Sequence, residues 1–379
     1  MVKVCHLTSV HPRYDARIYY KECKSLQEVG FEVTLIVADG LGNEFKEGIQ
    51  ILDVGKRKNK LKRIFFGTRD VYKKAISLNA DIYHFHDPEL IWFGVLLRKK
   101  NAKVIYDIHE DYYKQIFLKK EIIFPIRWTI AKSYKLLEVL LFHFYSALIV
   151  PQPSMISAYR RLNKNLELIC NFVSIKPINK IEQIYPYPYI YHGGGLSKER
   201  GLLNMINSME FVKTDIILII AGSISNILLN EVKNLKGWER VKYVGLLSHE
   251  ESMSYYANSE MGLILYNNVG QYYLSYSIKL FEYMRYGKPV IMPDFGEWVK
   301  FNAKNNCGIN VNVNNPMSVA KQIDMLMEKN EVKEHLGNNG KQSIEKEYNW
   351  PSEAKKLVNL YNNLIETNLS SNRKSNENL

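Results

Sequence analysis

The chain has 379 residues, 46% of them hydrophobic and 24% charged. That length suggests two domains, and the composition excludes a disordered chain, a collagen-like chain and a disulfide-stapled mini-protein. Its 51 lysines and arginines outnumber 39 aspartates and glutamates for a formal net charge of +12, and Met1–Cys170, with 28 basic and 18 acidic residues, carries +10 of it. Such a field attracts a polyanion, whether nucleic acid, anionic bilayer or phosphorylated substrate. Cys5, Cys23, Cys170 and Cys307 are far apart and read as reduced, buried thiols. The opening MVKVCHLTSV lacks the apolar core of a signal peptide, and no apolar run reaches the ~20 residues of a membrane span. The expectation is a cytoplasmic protein able to touch a membrane.

In chain order, Val2–Leu7 reads as an apolar strand, Ala16–Val29 as a helix stopped by Gly30, and Phe31–Val37 as a β-branched strand. Gln50–Val54, Ile82–Phe85, Val104–Ile108 and Ala147–Val150 are further strands, with helices around Ile64–Leu78, after Pro88, and in a long region reaching about Tyr145. The pattern restarts near Pro186 with strands at Tyr189–His192, Asp215–Ala221, Val241–Val244, Gly262–Leu265, Pro289–Met292 and Gly308–Val311, and a helix at Leu202–Met209. Strands alternating with helices imply right-handed crossovers and parallel sheets covered on both faces. The expected architecture is α/β, two doubly wound Rossmann-like domains facing a cleft. They occupy 1–172 and 189–350, with a Pro-rich linker at 173–188. A helix at 351–367 crosses back to the first domain, and 368–379 is an apolar-poor, disordered tail.

Five segments carry candidate chemistry. YHGGGLSKERGLLNMI, Tyr191–Ile206, runs from strand through a glycine-rich turn to a helix start, where backbone N–H groups and Arg200 could hold phosphate, although a plain turn needs such glycines too. SIKLFEYMRYGKPVIMPDFGEW, Ser277–Trp298, places Lys279, Leu280 and Glu282 on a helix ending at Gly287. A buried Glu282 would need donors such as ribose hydroxyls, and a surface glutamate is its plainer reading. DIYHFHDPEL and VIYDIHEDYY put His84, His86 and Asp87, then Asp107, His109, Glu110 and Asp111, at strand ends. Their spacing matches no zinc signature, and the chain contains no Asp-x-Asp, so no metal is expected. HLTSVHPRYDARIYYKE crowds His11, Arg13, Asp15 and Arg17 into the first strand–helix loop, where Asp15 could equally cap the helix. KRKNKLKRIFF and YYKQIFLKKEIIFPIRW interleave cations with aromatics, as suits a bilayer interface, nucleic acid, or an ordinary solvated face.

The order of these pieces resembles the retaining glycosyltransferases of family 4, with the GT-B fold. The likeness is strongest in GGGLSKERG, the strand ending in AGS (Ala221–Ser223), VGLLSHEE (Val244–Glu251), KLFEYMRYGKPVI and EYNWPSEAKKLVNLY, with HPRYDARIYYKE, FHDPEL and YDIHEDYY in the first half. The resemblance implies a metal-independent, hexosyltransferase-type enzyme without a cofactor. It would move a sugar from a nucleotide-sugar, a UDP-sugar by default, with retention of configuration. Arg200 matches the cation on the diphosphate, Glu282 the ribose-binding glutamate of Glu-x7-Glu, and His109 the histidine near the transferred sugar. Donor-side contacts would come from Gly194, Gly195, Lys279, Leu280, Gly296 and Glu297, and acceptor-side ones from Arg13, Asp15, Arg17, His86 and Asp87.

Two positions depart from the pattern. Leu274 replaces the first glutamate, and Gly195 stands where an arginine is usual, a loss that Arg13 or Arg17 could offset. Charge and family habit point to a saccharide or polyprenyl-diphosphate-linked acceptor in a bacterial surface polysaccharide (O-antigen, capsule or exopolysaccharide), made at the inner face of the plasma membrane. The alternatives are a nucleotide-sugar epimerase or hydrolase on the same scaffold, or a non-catalytic partner subunit. A nucleic-acid binder lacks any recognised signature.

Overall fold

The computed structural model describes the chain except for residues 99–101, 120–121, 176–184, 274–275 and 377–379, and except for the side chains of 118, 271 and 367–376. It divides into unit 1, Met1–Asn171 with Trp350–Leu379, and unit 2, Phe172–Asn349. Nine positions of the expected linker, 176–184, lie outside the described residues.

Unit 1 is built on eight strands: β1 (Lys3–Leu7), β2 (Glu32–Val37), β3 (Glu44–Lys46), β4 (Ile49–Asp53), β5 (Ile82–Phe85), β6 (Lys103–Asp107), β7 (Ala147–Val150) and β8 (Leu166–Leu168). They lie in the order β3-β4-β2-β1-β5-β6-β7-β8. All neighbours are parallel except the β3–β4 hairpin at the edge. Alternate residues feed opposite faces, as the two-residue strand period requires. Cys5, Leu148 and Val150 join one core, and Val4, Ala147 and Ile149 the other. The last helix, Trp350–Asn376, completes the second core with Leu357, Leu360, Tyr361 and Leu364. It runs beyond 367, through a stretch expected to be disordered. The helix expected at Ala16–Val29 is two pieces, Ile18–Cys23 and Lys24–Glu28. The first is a wide turn in which the Glu22 N–H reaches back five residues to the Arg17 carbonyl.

Unit 2 carries β9 (Tyr189–Gly193), β10 (Ile217–Ala221), β11 (Val241–Tyr243), β12 (Gly262–Leu263), β13 (Val290–Pro293) and β14 (Gly308–Val311). The sheet is parallel, in the order β11-β10-β9-β12-β13-β14. Strands therefore proceed one way from β9 and the other way from β12. In unit 1 the same reversal lies between β1 and β5. At such a switch point the loops after two neighbouring strands diverge and leave a crevice beyond their carboxyl ends, which is where α/β sheets take ligands.

Among the described residues no helix is long and apolar enough to cross a membrane. The helix Phe124–Leu141 nevertheless leaves Phe124, Ile126, Trp128, Ile130, Leu136, Leu137, Val139 and Leu140 exposed.

Candidate active site

At the unit 2 switch point, β9 ends in Gly193 and the chain turns through Gly194 at φ +112°. The Gly194 N–H donates to the Ala221 carbonyl at 2.9 Å, and the Gly222 N–H to Gly245 at 2.7 Å. A Cβ on Gly222 would overlap the Gly194 carbonyl oxygen, and one on Gly201 the Leu265 carbonyl. These glycines let three loops approach backbone to backbone. Gly201, at φ +76°, is also the N-cap of the helix Leu202–Met209, and no side chain caps that helix start.

Two cations converge on this turn. Arg200 donates from Nε to the Tyr272 hydroxyl at 3.2 Å and from Nη1 to the Gly195 carbonyl at 3.4 Å. Lys279 opens the helix Ile278–Arg285 behind its N-cap Ser277, and its Nζ donates to the Tyr266 hydroxyl at 3.2 Å. The ammonium lies over Gly194, 3.0 Å from where a Cβ would stand there, and the guanidinium lies 2.7 Å from the corresponding point on Gly195. Burial, helped by Arg200, holds the Lys279 ammonium below the ordinary lysine range. Burial alone would raise the Tyr266 phenol, but Lys279, the Ser277 hydrogen bond and Arg200 outweigh it and bring it down. In both, the charges of Lys279 and Arg200 are felt by their neighbours at this turn. Beneath it, His192 Nδ1 bonds the Leu263 carbonyl at 2.9 Å. Burial, then Lys279, lowers this imidazole to about 3 and keeps it neutral.

Glu282 lies three residues beyond Lys279, hence on the same helix face. It is buried, with one oxygen 4.0 Å from Arg285 Nη1. The Leu280 side chain is wholly buried in the core with Tyr283 and Trp298, so it packs the helix, and any contact from this position would come from its backbone. Gly296, at φ +57°, starts the helix Gly296–Asn305 without a side-chain cap. Glu297 is bonded to Lys300 at 2.7 Å and Tyr276 at 3.4 Å. Leu274 lies outside the described residues.

The unit 1 switch point is equally polar but differently used. Arg13 is clamped by Asp39, 2.8 Å on both nitrogens, and by Glu44 at 2.9 Å. Arg17 is buried against Asp107, at 2.7 and 2.9 Å, and Glu22, at 2.9 Å. Both arginines are spent on structure, so neither replaces the cation missing at Gly195. Asp15 caps the first helix by accepting from the N–H groups of Arg17 and Ile18, 2.8 and 3.0 Å, and it pairs with His11 at 3.2 Å. Burial raises its carboxyl, but His11 and those N–H groups hold it well below the carboxylate range. Asp87 gathers the loop after β1, accepting from Thr8 at 2.8 Å and the Ser9 N–H at 2.6 Å. His86 is buried between His6 at 3.0 Å and His109 at 3.2 Å, and burial lowers it to about 4. His109 lies 3.2 Å from Asp107 and keeps a 13% exposed edge, whereas the side chains of His6, His84 and His86 are sealed.

The structure thus brings together Gly194, Gly195, Arg200 and Lys279 in unit 2, and His86, Asp87, Asp15 and His109 in unit 1. Tyr266, Tyr272 and His192 were missed as donor-side partners, and His6, Glu22 and Tyr361 as members of the unit 1 cluster.

A parallel two-unit α/β chain with a cationic glycine turn at a switch point is the architecture of the GT-B glycosyltransferases, and the family comparisons agree. Residues 176–343 match the model "Glycosyl transferases group 1" and residues 16–176 match "Glycosyltransferase Family 4". Together the two matches run from residue 16 to residue 343, and the fold is GT-B. Among relatives, it is 25% identical over 172 residues to MJ1607, an uncharacterized glycosyltransferase of Methanocaldococcus jannaschii, an alignment spanning 44% of this chain and 43% of that one. The sucrose-phosphate synthase of Thermosynechococcus elongatus superposes with a TM-score of 0.76 at 15% identity, over 97% of this chain and 100% of that one. Anabaena HepE in complex with UDP and glucose gives 0.69 at 14% identity, over 96% and 100%.

Proposed function

We propose that the chain is a retaining, family 4 glycosyltransferase that moves a sugar from a nucleotide-sugar, by default a UDP-sugar, to a saccharide or lipid-linked acceptor. The observation that carries this reading is the convergence of Arg200 and Lys279 on Gly194 and Gly195. Breaking a sugar–phosphate bond builds negative charge on the departing diphosphate. A guanidinium, a buried ammonium and the start of the Leu202–Met209 helix stand together at this turn, where they can stabilise that charge. With two cations supplied by side chains, the diphosphate requires no metal. Glu282, one turn beyond Lys279, takes the ribose hydroxyls. The complex of HepE with UDP and glucose supports this class of ligand for the fold. His109, with its exposed edge, serves the sugar or acceptor, and Glu297 and Gly296 serve the donor through the backbone at their helix start.

The acceptor side rests on charge and surface. Met1–Cys170 carries the excess of +10, and the helix Phe124–Leu141 exposes Phe124, Ile126 and Trp128 beside Arg127 and Lys132. Apolar and aromatic side chains flanked by cations suit an anionic bilayer surface. That supports a peripheral enzyme at the inner face of a plasma membrane, acting on a polyprenyl-diphosphate-linked acceptor of a surface polysaccharide.

The test is protection from thermal unfolding by a panel of nucleotide-sugars. A melting temperature raised by one nucleotide class, and not raised in Arg200→Ala, supports the reading. No shift with any nucleotide contradicts it. Rapid donor turnover without acceptor would instead favour a hydrolase or epimerase.

A further inference from the structure

Below the unit 1 switch point lies a second constellation that the proposed transfer does not use. It is assembled from β1 (His6), the wide turn after it (Glu22), β5 (His84) and the residue following that strand (His86). All four side chains are completely buried. Glu22 Oε2 faces three ring nitrogens, His6 Nδ1 at 4.0 Å, His84 Nε2 at 4.0 Å and His86 Nε2 at 3.9 Å. Those separations are too long for hydrogen bonds. Glu22 Oε2 and His84 Nε2 have no hydrogen-bond partner among the described residues. A sealed carboxylate oxygen and a sealed imidazole nitrogen aimed at one point are costly unless something sits between them.

We propose that His6, Glu22, His84 and His86 bind one divalent transition-metal ion, zinc by ligand type, inside unit 1. Zinc bonds imidazole nitrogen and carboxylate oxygen at about 2.0–2.2 Å, so tetrahedral ligands stand roughly 3.3–3.4 Å apart. The four ligand atoms here all lie within 4.8 Å of one another, and His6 Nδ1 and His86 Nε2 are 3.0 Å apart. Contraction of the longer separations, with a slight spreading of the His6–His86 pair, closes the site.

The outer contacts fit the same reading, because ligating imidazoles are held by a partner on their second nitrogen. His84 Nδ1 is 2.7 Å and His6 Nε2 3.3 Å from the Tyr361 hydroxyl, whose oxygen can accept from both. His86 Nδ1 is 3.4 Å from the Asp107 carboxylate. With protons on those outer nitrogens, the inner three present lone pairs. Glu22 Oε1 is held by Arg17 at 2.9 Å. The wide turn at Arg17–Glu22 gives Glu22 its place, a distortion of the kind that recurs at functional sites. A rival set, His86, Asp107 and His109, also clusters, but Asp107 already carries both Arg17 bonds. The ion would be structural, joining β1, β5 and the first helix, and its loading is independent of sugar transfer.

The full chain, purified without a polyhistidine tag from zinc-supplemented cells, tests this by elemental analysis. The expected result is close to one zinc per chain, retained in His109→Ala and lost in Glu22→Gln and His84→Ala. Should those variants fail to fold, protein grown on cobalt gives a readout on the native sequence: a tetrahedral site shows strong visible d–d absorption. Less than about a tenth of an equivalent of any transition metal, with no cobalt spectrum, overturns the proposal. Metal that persists in folded Glu22→Gln and His84→Ala, or that leaves with His109→Ala alone, overturns it as well.

Discussion

Gly195→Ala tests the cationic turn without deleting a charge. A methyl at that position would stand 2.7 Å from Arg200 Nη1 and 3.5 Å from Cζ, so the guanidinium must move by up to about 1 Å to restore van der Waals separation. The obstacle is the far end of a flexible side chain, and Gly195 does not require positive φ. The fold should therefore tolerate the change to within about 0.5–1 kcal/mol. Catalysis should not, since a displacement of that size at a reacting group costs about 10²-fold. Arg200→Ala removes the donor altogether and is expected to cost about 3–4 kcal/mol of barrier, 10²- to 10³-fold in kcat/KM. If both act through the same guanidinium, the double variant is no worse than Arg200→Ala, a strongly non-additive cycle. The assay is initial-rate sugar transfer, or donor binding followed by calorimetry before the acceptor is known, with melting curves beside it. Full activity in Gly195→Ala, or a loss there that adds in full to that of Arg200→Ala, would refute the reasoning.

Three further outcomes follow from other parts of the molecule. Gly222→Ala places a Cβ on the Gly194 carbonyl oxygen at φ +137°. It is expected to destabilise unit 2 by more than about 3 kcal/mol, seen as a large fall in denaturation midpoint. His11 titrates above the ordinary histidine range: burial lowers it, but the hydrogen bond to Asp15 and the charges of Asp87, Asp15 and Asp107 raise it further. With the folded pKa above the unfolded one, its contribution is fully present below about pH 6.5 and fades as pH rises through the folded value. His11→Gln should therefore destabilise more at pH 6 than at pH 8.5 in urea melts. Replacing Phe124, Ile126 and Trp128 by serine should leave the melting temperature nearly unchanged, since all three are exposed. It should also abolish sedimentation with anionic vesicles, whereas neutral vesicles should bind neither form.

Much of the fold was legible because most of its strands are short, largely buried and mainly apolar. Ile82–Phe85, Ala147–Val150 and Gly308–Val311 fall where the residue pattern puts them. The strands β3 and β8 have three residues each and mix in charge at Glu44, Lys46 and Glu167, so only sheet pairing reveals them. The first helix was mis-shaped because a wide turn has no sequence period of its own.

Partnership was the harder problem. Arg13 and Arg17 looked available to a substrate because most of their partners are remote in sequence. The carboxylates on Arg13 come from 26 and 31 residues away and Asp107 on Arg17 from 90 residues away, brought in by the sheet, and only Glu22, five residues on from Arg17, is local. The same distance hid His6 from Glu22 and His84, and so a metal-like cluster that matches no spacing signature. The Leu280 side chain packs into the core, a burial that sequence alone does not separate from that of its neighbour Lys279. The glycine turn and Arg200 were readable because a strand–glycine–helix run constrains its own geometry.

The central claim, that unit 2 grips a nucleotide diphosphate at its switch point, is tested most directly by a crystal structure of the full chain with a nucleoside diphosphate. Diphosphate oxygens within hydrogen-bond distance of Arg200 and Lys279 Nζ, with the ribose on Glu282, are what the account requires. A nucleotide bound elsewhere, with Arg200 and Lys279 making no contact to it, would contradict it.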